Sequence, residues 1–379
     1  ADVGDRGDGA GLYNLPPGRE SGGGAFGTRG AGRPWGPAPP RRSGPGAARR
    51  SCLMHDVPGP GRSPARPPAV AVNIAPPDLR RWLPGNCGIP GAWSFAAEAP
   101  GPHVALTAIV HGNEIAGAVV LDRLLRLAIR PARGRLSLVF CNLDAFARFD
   151  PADPTATRFL DEDMNRLWDA GTLDGPRRSS ELKRARELRP LVDGVDMLAD
   201  LHSMLWRSDP LILTGETDKA ARLGLAIGLP QTVVADAGHV GGRRLIDYAR
   251  FTAPETDAAA VLVEAGDHWE DPTVARMEQT CLRLLRLAGM VEPRPPLPPI
   301  APAPPPRLAR VSRTVTAATR SFAFLREFRG GEVIPRANTL IALDGEAEIR
   351  TPHDDCLLVM PTPLVPRGHT AVRLARFVA

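Results

Sequence analysis

The sequence predicts an α/β fold: a mixed, mostly parallel central sheet flanked by helices, with a small C-terminal all-β domain. Three observations predict it. From Ala69 to about residue 291, apolar runs of strand length alternate with amphipathic stretches of helix length. Several of the runs are continuously apolar, as strands covered on both faces are. Beyond a Pro-rich stretch, the pattern changes to short alternating segments separated by turn residues.

Residues 1–68 alternate Gly, Pro, Arg and Ser with few apolar side chains, so they bury too little surface to offset their ordering entropy. They are expected to be a disordered extension. Residues 69–291 form the main domain. Strands are predicted at 104–110, 136–143, 197–201, 211–214, 232–235 and 260–263, and helices at 115–129, 180–189, 218–227 and 272–289. The last helix should start from Asp271 as N-cap before Pro272 and end at Gly289. Residues 292–306, EPRPPLPPIAPAPPP, stay extended and read as an inter-domain linker. Residues 307–379 hold the all-β segments, at 339–343, 347–350, 356–360 and 371–378, with no helix of note.

Composition bounds the function classes. The 379-residue chain is 43% hydrophobic, which is globular, and its 41 Pro and 38 Gly concentrate at the start and around residues 292–306. Residues 1–70 carry ten Arg against five acidic residues, and this excess of five equals the net charge of the whole chain. The rest is neutral overall, which argues against a nucleic-acid partner, because such partners need basic charge clustered on a folded face. Cys52, Cys87, Cys141, Cys281 and Cys356 are dispersed with no CxxC pair, more consistent with reduced thiols than with a disulfide framework. No run reaches the roughly 18 apolar residues of a membrane span, and the N-terminus has no apolar signal-peptide core. A soluble, cytoplasmic protein acting on a small molecule is expected, with homo-oligomerisation left open.

HGNEIAG carries the strongest chemical signal. His111 and Glu114 stand three residues apart where a buried strand gives way to a helix, so their side chains can converge, with Gly112 letting the backbone bend between them. His202 ends another strand-like run, VDMLADLH, and strand ends at the carboxyl edge of an α/β sheet are where sites collect. Two His and one Glu leave one position of a tetrahedral zinc open, which is how hydrolytic zinc sites are built. Asp200, two residues before His202 and on its face, is placed either to hold the second imidazole nitrogen or to cap a turn.

Glu264 ends the apolar run AAAVLVEAG. A carboxyl at the tip of a buried strand is partly desolvated, which raises its proton affinity and suits acid–base work; the alternative is a structural ion pair with an Arg. RFLDEDMNRLW holds Arg158, Asn165 and Arg166. Guanidinium forks bind carboxylates bidentately, but pairing with Asp161, Glu162 or Asp163 on the surface fits the spacing as well. His239, in the Gly-rich AGHVGGRR, and His268 are candidates for the pocket wall or for structural roles, whereas His103, His353 and His369 read as surface residues. HExxH, GxSxG and P-loop motifs are missing from the sequence.

HGNEIAG, RFLDEDMNR, DLHS and VEAG, in that order, resemble the succinylglutamate desuccinylase/aspartoacylase family, within the wider zinc carboxypeptidase-like group. The likeness covers roughly residues 100–290. It implies one zinc ion on His111, Glu114 and His202. It also implies that Glu264 activates the zinc-bound water and then protonates the leaving amine. Arg158, seven residues before Asn165, would polarise the substrate carbonyl, and Asn165 and Arg166 would hold a substrate carboxylate. Family members place a Tyr and an Arg shortly before the catalytic Glu; Tyr248 and Arg250 offer such a pair at altered spacing and are assigned to substrate binding. A Tyr that some members contribute from the C-terminal domain has no counterpart, since the chain holds only Tyr13 and Tyr248. The expected activity is a zinc-dependent amidohydrolase cleaving an N-acyl amide of a small carboxylate-bearing molecule such as an N-acyl amino acid. The alternatives are a zinc metallocarboxypeptidase acting on peptides and a non-catalytic zinc-binding module.

Overall fold

The computed structural model describes residues 71–239, 241–291 and 297–378. The predicted extension, residues 1–68, lies outside the described residues, as does the start of the predicted linker, residues 292–296. Along the first half come β1 (Ala92–Ala96), β2 (His103–Ala108), α1 (Ile115–Arg126), β3 (Arg135–Phe140), the short α2 (Leu143–Phe146) and α3 (Ala170–Asp174), α4 (Ser180–Val192) and β4 (Met197–Met204). There follow β5 (Leu211–Thr214), α5 (Asp218–Ile227), β6 (Thr232–Ala235), the short α6 (Ala249–Thr252), β7 (Ala259–Asp267) and α7 (Asp271–Leu287). The C-terminal part is β8 (Arg307–Thr316), β9 (Phe322–Phe324), β10 (Val333–Ile334), β11 (Leu340–Asp344), β12 (Ala347–Arg350), β13 (Cys356–Val359) and β14 (Thr370–Phe377).

Eleven strands make one sheet in the order β1-β3-β2-β4-β7-β5-β6-β8-β14-β13-β10. Its centre, β3-β2-β4-β7, is parallel. Strand periodicity explains why these central runs are apolar throughout. On β2, Val104, Leu106 and Ala108 pack with Leu121 and Leu124 of α1 and Met277 and Leu284 of α7. Ala105 points the other way, into a cluster with Leu182, Leu188 and Val192 of α4. β7 divides likewise, Val261 and Val263 to the first face and Ala260 and Leu262 to the second. Each such Leu or Val contributes about 1.5–3 kcal/mol of burial, which fixes the register of both strands.

The α1 and α7 boundaries differ from the prediction for local reasons. α1 stops at Arg126 because Ala128 turns to φ 51°. Glu270, not Asp271, is the N-cap of α7, and its side chain makes no cap bond; Asp271 sits in the first turn, where the helix dipole favours its charge. β1 and β8 are strands that sequence patterning missed. β1 is a short antiparallel edge on β3, and β8 is largely exposed, held by its ladders to β6 and β14 rather than by burial.

The segment after residue 306 is all-β among the described residues, as expected, and it splits in two. β8, β14, β13 and β10 extend the central sheet through the β6–β8 pair, while β9, β11 and β12 form a separate three-stranded antiparallel sheet. Cys87, Cys141, Cys281 and Cys356 are free, and among the described residues no helix is long and apolar enough to cross a membrane.

Candidate metal centre and active site

Three adjacent parallel strands, β2, β4 and β7, deliver the site at their carboxyl ends. Beyond β2 the chain turns sharply, with the β-branched Ile109 at φ 51°, and sets His111 and Glu114 side by side. Gly112 is not there for a turn. A side chain on it would fall 2.5 Å from the Ala145 carbonyl carbon, so the position needs glycine for space, and its N–H donates to Arg158 O at 3.0 Å. Glu114 is the N-cap residue of α1 but caps nothing with its carboxylate.

That carboxylate is used elsewhere. Its Oε1 lies 2.7 Å from His111 Nδ1, and its Oε2 lies 2.9 Å from His202 Nδ1 and accepts from Ser203 N at 3.0 Å. His111, Glu114 and His202 are all buried, their ligand atoms within 4.8 Å of one another, and they could hold a metal ion. Asp200 Oδ2 is 2.7 Å from His202 Nε2, and Thr107 donates to its other oxygen at 2.7 Å. With His202 Nε2 anchored there, Nδ1 is the nitrogen left to face Glu114 and a cation. Burial raises the proton affinity of Glu114, but the imidazoles of His111 and His202 outweigh it and hold the carboxyl well below its ordinary value. Burial opposes a charge on His202, yet Asp200 and Glu114 raise its pKa well above the usual one. Two carboxylates around buried imidazoles form a donor set whose charge a divalent cation balances.

Glu264 pairs with His202 across the β4–β7 ladder, so both side chains leave the same face at the same level. It is buried, and its Oε2 has no hydrogen-bond partner among the described residues. Burial, then the Glu114 charge, pushes its pKa up to about 8. Arg158 Nη1 donates to Glu114 Oε1 at 3.1 Å. His111 Nε2 donates to Asp163 Oδ1 at 2.9 Å once Nδ1 is the metal-facing atom; Arg158 Nη2, also 2.9 Å from that nitrogen, is then a close contact between donors rather than a hydrogen bond. A buried carboxylate fixes the loop that brings Arg158 here: Glu181 accepts from the N–H groups of Leu160 (2.7 Å), Asp161 (3.1 Å) and Glu162 (3.3 Å).

A cavity of about 690 Å³ opens on these groups, lined by His111, Glu114, Arg158, Arg166, Glu264 and His268 among others. Asn165 stands behind its wall, buried, its side-chain oxygen accepting from Leu245 N at 2.8 Å. Gly242, at φ 136°, packs onto Arg166 so closely that a side chain would lie 2.1 Å from the Arg166 carbonyl oxygen.

Tyr248 and Arg250, expected at the substrate, are not at this cavity. The Tyr248 hydroxyl donates to Asp193 Oδ1 (2.6 Å) and accepts from Arg189 Nε (3.0 Å); Arg250 donates to Val195 O and Asp196 Oδ1, both at 2.9 Å. Asp196 immediately precedes β4, so Arg250 stands at the amino edge of the sheet, opposite the site. His268 and His239 do line the cavity. His239 Nε2 accepts from Arg373 Nη2 at 2.9 Å, while burial and then Arg373 hold its pKa far below the ordinary value. Of the three His read as surface residues, His103 is half-buried, His353 is buried, and exposed His369 borders the cavity.

Sequence reasoning missed several contributors. Asp163 was considered only as a surface partner, yet it holds His111 and accepts from Asn165 N. Ser203 Oγ lies 2.6 Å from His268 Nδ1. Arg373 reaches in from β14 and pairs with buried Asp236 at 2.8 Å. For Asp163, its place between two arginines of a candidate binding motif was an available signal, and for Ser203 its place beside His202 in DLHS; for Arg373 there was none.

Residues 100–288 match the family described as succinylglutamate desuccinylase/aspartoacylase catalytic domain. Solved structures share the fold. Succinylglutamate desuccinylase from Vibrio parahaemolyticus is 18% identical with a TM-score of 0.58, covering 76% of this chain and 86% of that one. A succinylglutamate desuccinylase/aspartoacylase from Rhodobacter sphaeroides is 18% identical with a TM-score of 0.56, covering 77% and 89%. The ectoine utilization protein EutE from Ruegeria pomeroyi, solved with product bound, is 17% identical with a TM-score of 0.53, covering 75% and 88%. No curated protein matches the chain.

Proposed function

Since this chain belongs to the succinylglutamate desuccinylase/aspartoacylase family through residues 100–288, we propose that it is a zinc-dependent amidohydrolase that removes an acyl group from the nitrogen of a small, carboxylate-bearing molecule such as an N-acyl amino acid. One observation carries the reading: a buried His–Glu–His cluster, two of whose members line the cavity, lies beside a buried carboxyl, Glu264, that also lines it and has an oxygen with no partner among the described residues. A structural ion cluster has no use for that oxygen; hydrolysis does.

His111, Glu114 and His202 would hold the zinc, which supplies Lewis acidity toward the amide carbonyl and acidifies water when bound. Glu264, whose raised pKa belongs to the metal-free protein and which a cation on the neighbouring ligands would ionise, takes a proton from the attacking water at its free oxygen as the water oxygen adds to the carbonyl carbon. Arg158 turns its guanidinium to the carbonyl oxygen, where negative charge develops. Glu264 then passes the proton to the amide nitrogen, the C–N bond breaks, and a carboxylic acid and an amine leave. Arg166 binds the substrate carboxylate with its guanidinium oriented by the Asn165 backbone carbonyl oxygen, which accepts from Arg166 Nη1 at 2.6 Å. Asp200 fixes the ring of His202, and Asp163 that of His111.

The direct test is elemental analysis of the purified chain, followed by amine-release assays on N-acetyl, N-succinyl and N-formyl amino acids. One zinc per chain with release from at least one acyl class is the expected result; no release from any class defeats the proposal. Asp200→Asn is expected to weaken zinc binding about 10–100-fold, measured by competition with a chromophoric chelator, because it removes the acceptor that fixes the His202 tautomer. Affinity within twofold of the parent would take Asp200 out of the site. Arg166→Ala is expected to raise KM about tenfold or more with kcat changed less than about threefold, the pattern of lost ground-state binding. An unchanged KM removes its carboxylate-binding role.

A further inference from the structure

Apart from the metal cluster and the acid–base carboxyl, the cavity also carries large apolar side chains. Phe159, Leu205, Trp206, Met360 and Val365 line it. Leu205, Met360 and Val365 each also back onto an apolar core cluster. Phe159 and Trp206 belong to none of the three clusters described, and Phe159 is 37% exposed. Large rings turned toward a cavity without serving the core are available to a ligand.

The cavity's cationic side chains set a limit on the other side. Arg158 and Arg166 are the arginines that line it among the described residues. Arg158 lies against Glu114 and the His111 ring, at the place of the reacting carbonyl. Arg244 and Arg373 stand behind the wall, buried and paired to Asp236 at 2.6 and 2.8 Å, with Arg244 also on Asp247 at 2.6 Å. That leaves Arg166 as the guanidinium for a substrate carboxylate. A second carboxylate placed against Phe159, Trp206 or Met360 would lose its hydration without a cation in return; elsewhere the lining offers it the hydroxyls of Thr316, Thr362 and Thr370 and the imidazoles of His239 and His369, but no third guanidinium among the described residues. A cavity of about 690 Å³ is also of the size that encloses a drug-sized ligand, beyond the need of one small dicarboxylic amide.

We infer that the preferred substrate is an N-acyl compound with a single carboxylate and one bulky apolar group, the carboxylate held at Arg166 and the apolar group against Phe159, Trp206, Met360 and Val365. This rests on the deacylase reading above. The lining supplies the apolar surface and one available guanidinium, and the choice of probe separates an apolar group on the amine from one on the acyl side.

Binding decides it without turnover. The zinc-loaded Glu264→Gln protein is titrated by calorimetry with N-acetyl-L-phenylalanine, N-benzoylglycine, N-acetyl-L-aspartate and N-succinyl-L-glutamate. At least one of the first two should bind tenfold or more tightly than both dicarboxylates, about 1.4 kcal/mol. N-acetyl-L-phenylalanine in that position puts the apolar group on the amine, and N-benzoylglycine puts it on the acyl side. Trp206→Ala should weaken the preferred probe about tenfold and leave N-acetyl-L-aspartate within twofold. The inference is overturned if neither apolar probe binds tenfold more tightly than both dicarboxylates, or if Trp206→Ala weakens all four alike. Failure of the wild-type protein to release any amine would defeat the deacylase reading alone, since the order of binding is measured independently of turnover.

Discussion

His202→Ala is expected to take bound zinc from about one ion per chain to below about a tenth after dialysis, because three ligands become two. The ring it removes is 2% exposed and bridges two carboxylates, Glu114 at 2.9 Å and Asp200 at 2.7 Å. The loss is therefore electrostatic as well as coordinative. Asp200, fully buried, keeps only its Thr107 hydrogen bond, and Glu114 keeps His111, Arg158 and the Ser203 N–H. Leaving a buried charge short of partners costs about 3–5 kcal/mol when a pair is broken, so some loss of stability should accompany the loss of metal. His202→Gln, which restores a polar group in the same space, separates the two effects: it should recover folded yield without recovering zinc. Elemental analysis of the monodisperse fraction reads the outcome. A stoichiometric zinc content in either folded variant would remove His202 from the ligand set.

How much of this was legible in the chain depends on how the contacts are made. HGNE needed only local geometry, since both side chains leave one turn. His202 and Glu264 were legible because each ends a continuously apolar run, and in a parallel sheet such runs end at one edge; the His202–Glu264 register then followed from the fold. Tyr248 and Arg250 show where nearness along the chain misleads. β7 lies between them and Glu264, and a strand advancing about 3.3 Å per residue carries the chain from the amino edge to the carboxyl edge. A residue placed shortly before the strand is thereby far from its end. Arg373 was invisible for the opposite reason. Its contact with His239 spans 134 positions and exists because β14 follows β8 in the sheet order, which no local pattern encodes. Gly112 was read for its backbone freedom, and the structure needs its missing side chain instead, a requirement set by Ala145 on a separate helix.

Glu264→Gln is expected to keep zinc and to lower kcat about 10²–10⁴-fold, the range that positioned proton transfer supplies. The substitution keeps volume and hydrogen-bonding shape and removes only the capacity to take and return a proton. The environment makes the variant informative on stability as well. Burial and the neighbouring Glu114 push the Glu264 pKa up to about 8, so in the metal-free protein the folded state holds this proton more tightly than the unfolded chain does. The contribution is therefore fully present below the ordinary carboxyl range and is lost as pH rises toward 8. Glutamine imitates the protonated form at every pH. Metal-free Glu264→Gln should thus match or exceed the parent in thermal stability above neutral pH, while the zinc-loaded variant turns over poorly. A carboxyl that destabilises the fold, with an oxygen that has no partner among the described residues, is what the proposed proton transfer requires. If the variant instead lost stability across the whole pH range and kept its kcat, Glu264 would be a structural residue and the proton would have to travel by another group.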